Sequence, residues 1–244
     1  MPFTFSHPAI VLPFKYFPER WRSMTGLIVG SMAPDFEKFI RMSTYDAYSH
    51  TWKSIFYFNL PIGLLLAFLF HVFVRDELID HLPLFLQRRL IQFKGLNWVG
   101  YFRKNYGIVI LSILIGTVSH IGWDAFTHID GRFVRLFPIL EKELVFKSFK
   151  MEMFNFLQNG SSLVGLLVIF IAFFMLPALP VPKPKTSQFR KLSYWVVFLL
   201  IAFSVLVLRY KLGDSLNYVV SLIIVSISAS LISLVITSML FRRS

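Results

Sequence analysis

Five residues of metal-ligating type stand at the edges of apolar runs: His120, Asp124, His128, Asp35 and His50. Three lie in one run, Ser119-His120-Ile121-Gly122-Trp123-Asp124-Ala125-Phe126-Thr127-His128, which closes an apolar stretch beginning near Gly107. On a helix the spacing i, i+4, i+8 puts His120, Asp124 and His128 on one face, drifting about 40° per step. An ionisable side chain in a membrane-buried helix costs roughly 2.5–3.5 kcal/mol near the bilayer centre, so its presence points to function. Two imidazoles and a carboxylate on one face are the nitrogen and oxygen donors of a divalent-metal site. Adjacent positions, i and i+4, suit one ion. His120 and His128, about 12 Å apart along the axis, do not. Either Asp124 bridges two ions, or one histidine has another task, such as general acid–base work; His128 is the residue that could be a ligand or a proton donor. The missing ligands must come from elsewhere, and Asp35, His50 and His7 are the candidates. Each has a local context that could fix it: Ala33-Pro34-Asp35, Ser49-His50-Thr51 and Ser6-His7-Pro8, with a hydroxyl beside each histidine.

These residues must be positioned by membrane elements. The chain has 244 residues, 56% hydrophobic and only 16% charged, with a mean hydropathy of +0.65. That composition is that of a polytopic membrane protein. Five apolar runs approach the roughly 20 residues a span needs: Ile55–Val74, Gly107–Phe126, Leu163–Val181, Leu192–Leu208 and Tyr218–Phe241. Pro177, Pro180, Pro182 and Pro184 end the third and make a stiff connector. A sixth segment, Trp21–Ile40, carries Arg22 at one end and Asp35, Glu37 and Lys38 at the other. It is too short to span and reads as a re-entrant or interfacial helix, ended or kinked by Pro34. The expectation is an all-α polytopic bundle in two parts: residues 1–160 carrying the site and residues 161–244 as a three-span anchor.

Five spans have a useful consequence. His7, Asp35 and His50 precede the first span, and His120, Asp124 and His128 close the second, which returns to the same side. All six therefore meet one membrane face. Packing supports the meeting. Ser112, Gly116 and His120 share the stripe of Asp124, and small residues there admit a close neighbour. Gly26 and Gly30 form a matching stripe, followed by Pro34 and Asp35. Crossing of the two stripes delivers Asp35 beside His120 and Asp124; plain helix packing without a metal is the alternative.

Composition excludes several classes. There are no cysteines, hence no disulfides and no thiolate metal site. The net charge of +12 suits anionic lipid headgroups, and basic residues spread over every loop argue against nucleic acid. They are divided so evenly that the positive-inside bias gives no orientation. The N-terminus lacks the basic region and unbroken apolar core of a signal peptide. No nucleotide-binding glycine loop and no G-x-S-x-G elbow occurs. Asp76, Glu77, Asp80 and His81 read as an ion-paired interfacial helix flanked by Arg75, Arg88 and Arg89. His71 reads as a packing histidine. Ser226, Ser230, Ser233 and Thr237 read as a helix-contact stripe.

The quoted elements Met1-Pro2-Phe3-Thr4-Phe5-Ser6-His7-Pro8, Gly30-Ser31-Met32-Ala33-Pro34-Asp35-Phe36-Glu37, Ser49-His50 and Ser119-His120-x-x-Trp123-Asp124-x-x-Thr127-His128 resemble the bacterial integral membrane proteins called domain of unknown function 4184. The likeness covers most of the chain and implies an integral protein of a bacterial cytoplasmic membrane. More distantly, the Pro-Asp, Ser-His and Ser-His-x-x-x-Asp elements are similar to membrane-bound metal-dependent hydrolases and to zinc-dependent phospholipase C. That resemblance implies His7, Asp35, His50, His120 and Asp124 as metal ligands, and it departs from the phospholipase in lacking its further His and Glu ligands on later helices. The leading expectation is a metal-dependent hydrolase with one or two zinc-type ions, acting on a phospholipid or lipid-linked phosphate. The rival is a non-enzymatic scaffold stapled by a structural metal, or a small transporter.

Overall fold

The structure is a computed structural model, and it describes residues 3–146, 149–181, 186–212 and 219–242. The chain is an all-α polytopic membrane protein. Among the described residues, five helices are long and apolar enough to cross a bilayer: Ile55–His81, Trp98–Thr127, Met153–Phe174, Gln188–Leu212 and Val219–Phe241. Side chains such as Leu163, Leu167 and Phe170 on the third, and Leu199, Leu200 and Phe203 on the fourth, are exposed. Apolar surface of that extent is untenable in water and ordinary against lipid.

Span boundaries differ from the sequence reading for identifiable reasons. The first span continues past Val74 because Arg75 pairs with Asp76 at 2.6 Å and Lys94 pairs with Asp80, so the charges are met without ending the helix. Its first turn, Ile55–Asn59, is a wide π-type turn just before Pro61. Proline has no N–H and its ring crowds the carbonyl four residues back, and a widened turn relieves both. The second span starts at Trp98, with a non-helical Asn105 (φ −127°, ψ 21°) separating its basic first turns from the apolar stretch after Gly107. The third span begins and ends earlier than expected. It stops at Phe174, and Arg89 donates to the Phe174 and Leu176 carbonyls ahead of Pro177. Pro182, Pro184 and Tyr218 lie outside the described residues.

The Trp21–Ile40 segment is a broken helix: Met24–Met32, a tight turn at Ala33–Asp35, then Phe36–Arg41. Ser23 caps it by accepting from the Gly26 N–H at 3.2 Å. One feature had no counterpart in the sequence reading. Glu143–Phe146 and Phe149–Glu152 pair as an antiparallel hairpin, Glu143 opposite Glu152, ahead of the third span. Val134, Leu140 and Phe154 form a small core nearby, with Met153 packed on it.

Contacts divide the chain into two compact units. One comprises Met1–Asp35, Tyr48–Leu64 and Asn105–Phe173; the other comprises Phe36–Ala47, Leu65–Lys104 and Phe174–Ser244. In the second unit His71 stacks on Trp98 with ring centroids 4.4 Å apart, as a packing histidine should. His81, expected on a solvated helix, is instead buried, stacked on Tyr194 at 4.3 Å. There Tyr194 also bonds Ser238, within the buried small-residue surface of the fifth span.

The first unit is organised by the crossing of Met24–Met32 with the second span. The Ser23 N–H donates to Ser112 Oγ at 2.8 Å and Thr117 Oγ1 donates to the Gly30 carbonyl at 3.2 Å. A Cβ added at Gly30 would collide with the Ile113 backbone, and one at Gly116 would collide with the Leu27 carbonyl. Backbone meets backbone here, which only glycine permits. Gly30→Val should therefore cost about 1–3 kcal/mol or more through overpacking, read as a lower melting temperature in detergent. Gly160→Ala, where an added Cβ meets nothing within 4 Å, should leave the melting temperature unchanged or slightly raised.

Candidate metal centre

The helix crossing sets the site. One turn beyond Gly116 the second span presents His120, and one turn beyond Gly30 the broken helix turns at Pro34 and presents Asp35. Both side chains are fully buried. His120 Nδ1 lies 2.7 Å from the Ser31 carbonyl. A carbonyl only accepts, so Nδ1 carries the proton and Nε2 offers its lone pair to the site.

His50 arrives on the loop before the first span. Asn59 Nδ2 donates to the Ser49 carbonyl at 2.9 Å, and Ser54 Oγ donates to the same carbonyl at 2.7 Å. These bonds tie the loop to the first turn of the span. Ser49 Oγ lies 3.0 Å from His50 Nδ1 and orients the ring. His7 sits on a short helical turn at the N-terminus, with Nδ1 3.3 Å from the Thr4 carbonyl. The hydroxyl adjacent to His7 plays no such part: Ser6 Oγ donates to the Phe3 carbonyl.

All six residues singled out in the sequence converge, and all belong to the first compact unit. His120 Nε2 and His50 Nε2 are 3.3 Å apart. Asp124 Oδ2 is 3.3 Å from His120 Nε2 and 3.4 Å from His50 Nε2. Asp35 Oδ1 is 3.6 Å from His50 Nε2, and Asp35 Oδ2 is 3.9 Å from His120 Nε2. Asp124 Oδ2 is buried and makes no hydrogen bond, although three histidine nitrogens surround it. Two donors held about 2.0–2.2 Å from one tetrahedral ion stand roughly 3.3–3.6 Å from each other. The His50, His120 and Asp124 atoms meet that spacing, and Asp35 lies beside them at 3.6–3.9 Å through two different oxygens. Two carboxylates and three imidazoles gathered in one largely buried site call for a cation or protons between them. The residues fit a zinc-type ion.

His7, Asp35 and His120 form a second trio with donor atoms within 4.8 Å of one another. His120 has only Nε2 to give, so the two trios cannot both hold an ion through it. His7 instead stacks on His120, with centroids 3.8 Å apart, and places Nε2 3.3 Å from Asp124 Oδ1. Burial and then the neighbouring His120 push the His7 imidazole below its ordinary pKa of 6.5, while Asp124 opposes them. His128 lies at the open side. Its side chain is 30% exposed and Nδ1 is 3.3 Å from the Asp124 carbonyl. His50 is 24% exposed on the same side, whereas His7, Asp35 and His120 are sealed.

Sequence reasoning missed Thr4, whose Oγ1 donates to Asp35 Oδ2 at 2.6 Å, and the Ser31 carbonyl that sets the His120 tautomer. No spacing rule links Thr4 to a carboxylate 31 positions away; the contact exists only after folding. The third span was also assigned to an anchor, yet Trp123 Nε1 donates to Ser161 Oγ at 3.0 Å and the Phe3 N–H donates to Ser162 Oγ at 2.9 Å.

A family model described as Domain of unknown function (DUF4184) matches residues 1–239, and the chain belongs to that family. Comparisons with curated proteins and with solved structures give no match.

Thr4→Val keeps shape and removes one hydrogen bond to the Asp35 carboxylate, a candidate ligand. Loss of such a partner weakens metal affinity by about 10–100-fold. Competition with a chelator, followed by mass spectrometry of bound metal, should show that drop for Thr4→Val and no bound ion for His120→Ala.

Proposed function

We propose that this member of the DUF4184 family is a divalent-metal-dependent hydrolase acting at the membrane surface on a phospholipid or another lipid-linked phosphate. The observation that carries the reading is the convergence of His50 Nε2, His120 Nε2 and Asp124 Oδ2 at 3.3–3.4 Å, with Asp35 beside them, at a site closed on one side and open on the other. A structural metal site is closed by four protein ligands, whereas a catalytic one keeps a position for water or substrate. The partial exposure of His50 and His128 favours the second kind.

His50, His120, Asp124 and Asp35 would hold the ion, with zinc the first choice for an imidazole and carboxylate set without thiolate. A bound ion of this type supplies a Lewis acid and a water acidic enough to attack at neutral pH. The protein's own groups do the rest. His7 and Thr4 each bond one oxygen of a ligand carboxylate and fix its direction. Hydrolysis of a phosphate ester forms a bond from water oxygen to phosphorus and breaks the ester P–O bond, and the departing oxygen needs a proton. His128, as imidazolium, is the group placed to give it: Nδ1 is engaged by the Asp124 carbonyl, while the ring borders the open side. Tyr16, Trp21, Tyr48 and Trp52 are exposed on the segments that also carry His7 and His50. Aromatic residues of this kind collect at headgroup level, where a lipid phosphate lies. Basic residues of the same segments, Lys15, Arg20 and Lys53, suit an anionic headgroup.

Asp124→Asn separates enzyme from scaffold. The hydrolase reading expects bound divalent metal in gently purified wild type, turnover of at least one member of a panel of phospholipids and lipid-linked phosphates, and loss of that turnover in Asp124→Asn at an unchanged melting temperature. A structural staple gives the opposite pattern, because its binding energy is folding energy: no turnover by wild type, and a marked fall in melting temperature for the variant.

A further inference from the structure

An open groove of about 550 Å³ adjoins the His/Asp cluster. Ile10, Gly122, Trp123, Phe126, Phe133 and Leu157 make its apolar walls. It follows the last turns of the second span from Ser119 to Thr127, about 12 Å of helix. The volume is within the roughly 300–1,000 Å³ of ordinary ligand sites.

Groove and cluster share a wall. Trp123 and Thr127 line the groove, and the next residue in each case, Asp124 and His128, belongs to the cluster. The Trp123 ring also lies against His7, with centroids 5.2 Å apart. Its N–H is spent on Ser161, so the indole shows the groove only carbon. Phe133 stacks on Phe126 at 4.2 Å and extends the apolar lining onto the short helix Arg132–Leu136. That helix begins with an exposed Arg132 directly before Phe133, a positive charge suited to an anionic headgroup.

We infer that this groove seats one hydrocarbon chain of a phosphate-bearing membrane lipid, holding its headgroup at the His/Asp cluster. The occupant follows from the surroundings. Its walls include the ends of two helices long and apolar enough to span a membrane, where lipid chains are the neighbouring apolar matter. An apolar cleft stays dry and is filled by apolar matter. Continuity with the cluster through Trp123, together with the charge of Arg132, selects a lipid with an anionic head over a neutral one. The inference rests on the hydrolase reading for what happens to the phosphate, while the seating of the chain is a binding statement with its own test.

Gly122 provides that test. A Cβ added there meets nothing within 4 Å, so a larger side chain fills the groove without displacing the helix. Full-length protein in lipid nanodiscs is irradiated with phosphatidic acid carrying a diazirine on one acyl chain, and labelled peptides are mapped by mass spectrometry. Label should fall on residues 119–127, 133 and 157–161, and should drop at least about tenfold in Gly122→Leu, the scale for losing methylene contacts in an apolar site. Leu157→Trp, which fills the groove from the third span, should do the same. Label spread evenly over the spans, or undiminished in both folded variants, would overturn the inference. In the kinetic arm, KM for long-chain phosphatidic acid should rise in Gly122→Leu by more than KM for a chain-free phosphate monoester. Groove labelling without turnover of any phosphate lipid would sink the hydrolase reading and leave the chain site standing. Turnover with equal KM changes and no groove labelling would do the reverse.

Discussion

The contact on which the site depends is the backbone-to-backbone crossing of Met24–Met32 with the second span at Gly30 and Gly116. Both segments continue one turn past the crossing into a residue of metal-ligating type, Asp35 or His120, and the separation there is set by the absence of side chains. The same approach brings the Ser31 carbonyl to His120 Nδ1 at 2.7 Å and so decides which nitrogen faces the site. Position and tautomer thus come from one packing event. In a bilayer there is little hydrophobic drive between helices, so such van der Waals fit and the Ser112 and Thr117 hydrogen bonds must supply the association.

Electrostatics makes the crossing costly without a counter-charge. Asp35 and Asp124 are both buried, with Nε2 of His120 and of His50 3.3–3.9 Å from their oxygens. Two carboxylates buried in one site carry a large desolvation cost, which a cation among them would offset. Thr4 donates to one oxygen of Asp35, and His7 Nε2 lies 3.3 Å from one oxygen of Asp124. The arrangement suits the divalent ion proposed above, with His7, Asp35 and His120 enclosed and His50 and His128 partly exposed.

Location and chemistry agree. The cluster closes the second span, among segments rich in exposed aromatics, and is bordered by an apolar groove. A soluble phosphate would need no such groove. The third span, with Ser161 and Leu157, completes that wall and ties the N-terminal segment through Ser162. It is thereby part of the machinery around the site as well as a membrane anchor.

Much of this was written in the sequence. The apolar runs determined an all-α, five-span membrane protein, because a span must satisfy its backbone internally and hydropathy reports that directly. The i, i+4, i+8 run of His120, Asp124 and His128, the parity of spans and the matched small-residue stripes placed six ligand-type residues on one face. Those are local or periodic signals, legible without a fold. What only tertiary structure decided is which atoms meet. That His7 turns to the far oxygen of Asp124, that Thr4 bonds Asp35, that His81 is buried while its neighbours are ion-paired, and that Trp123 is anchored by Ser161 all join residues with no fixed sequence spacing. The span ends moved for the same reason. Partners such as Lys94 for Asp80, or Arg89 for the Phe174 carbonyl, prolong or stop a helix by contacts that composition alone does not encode.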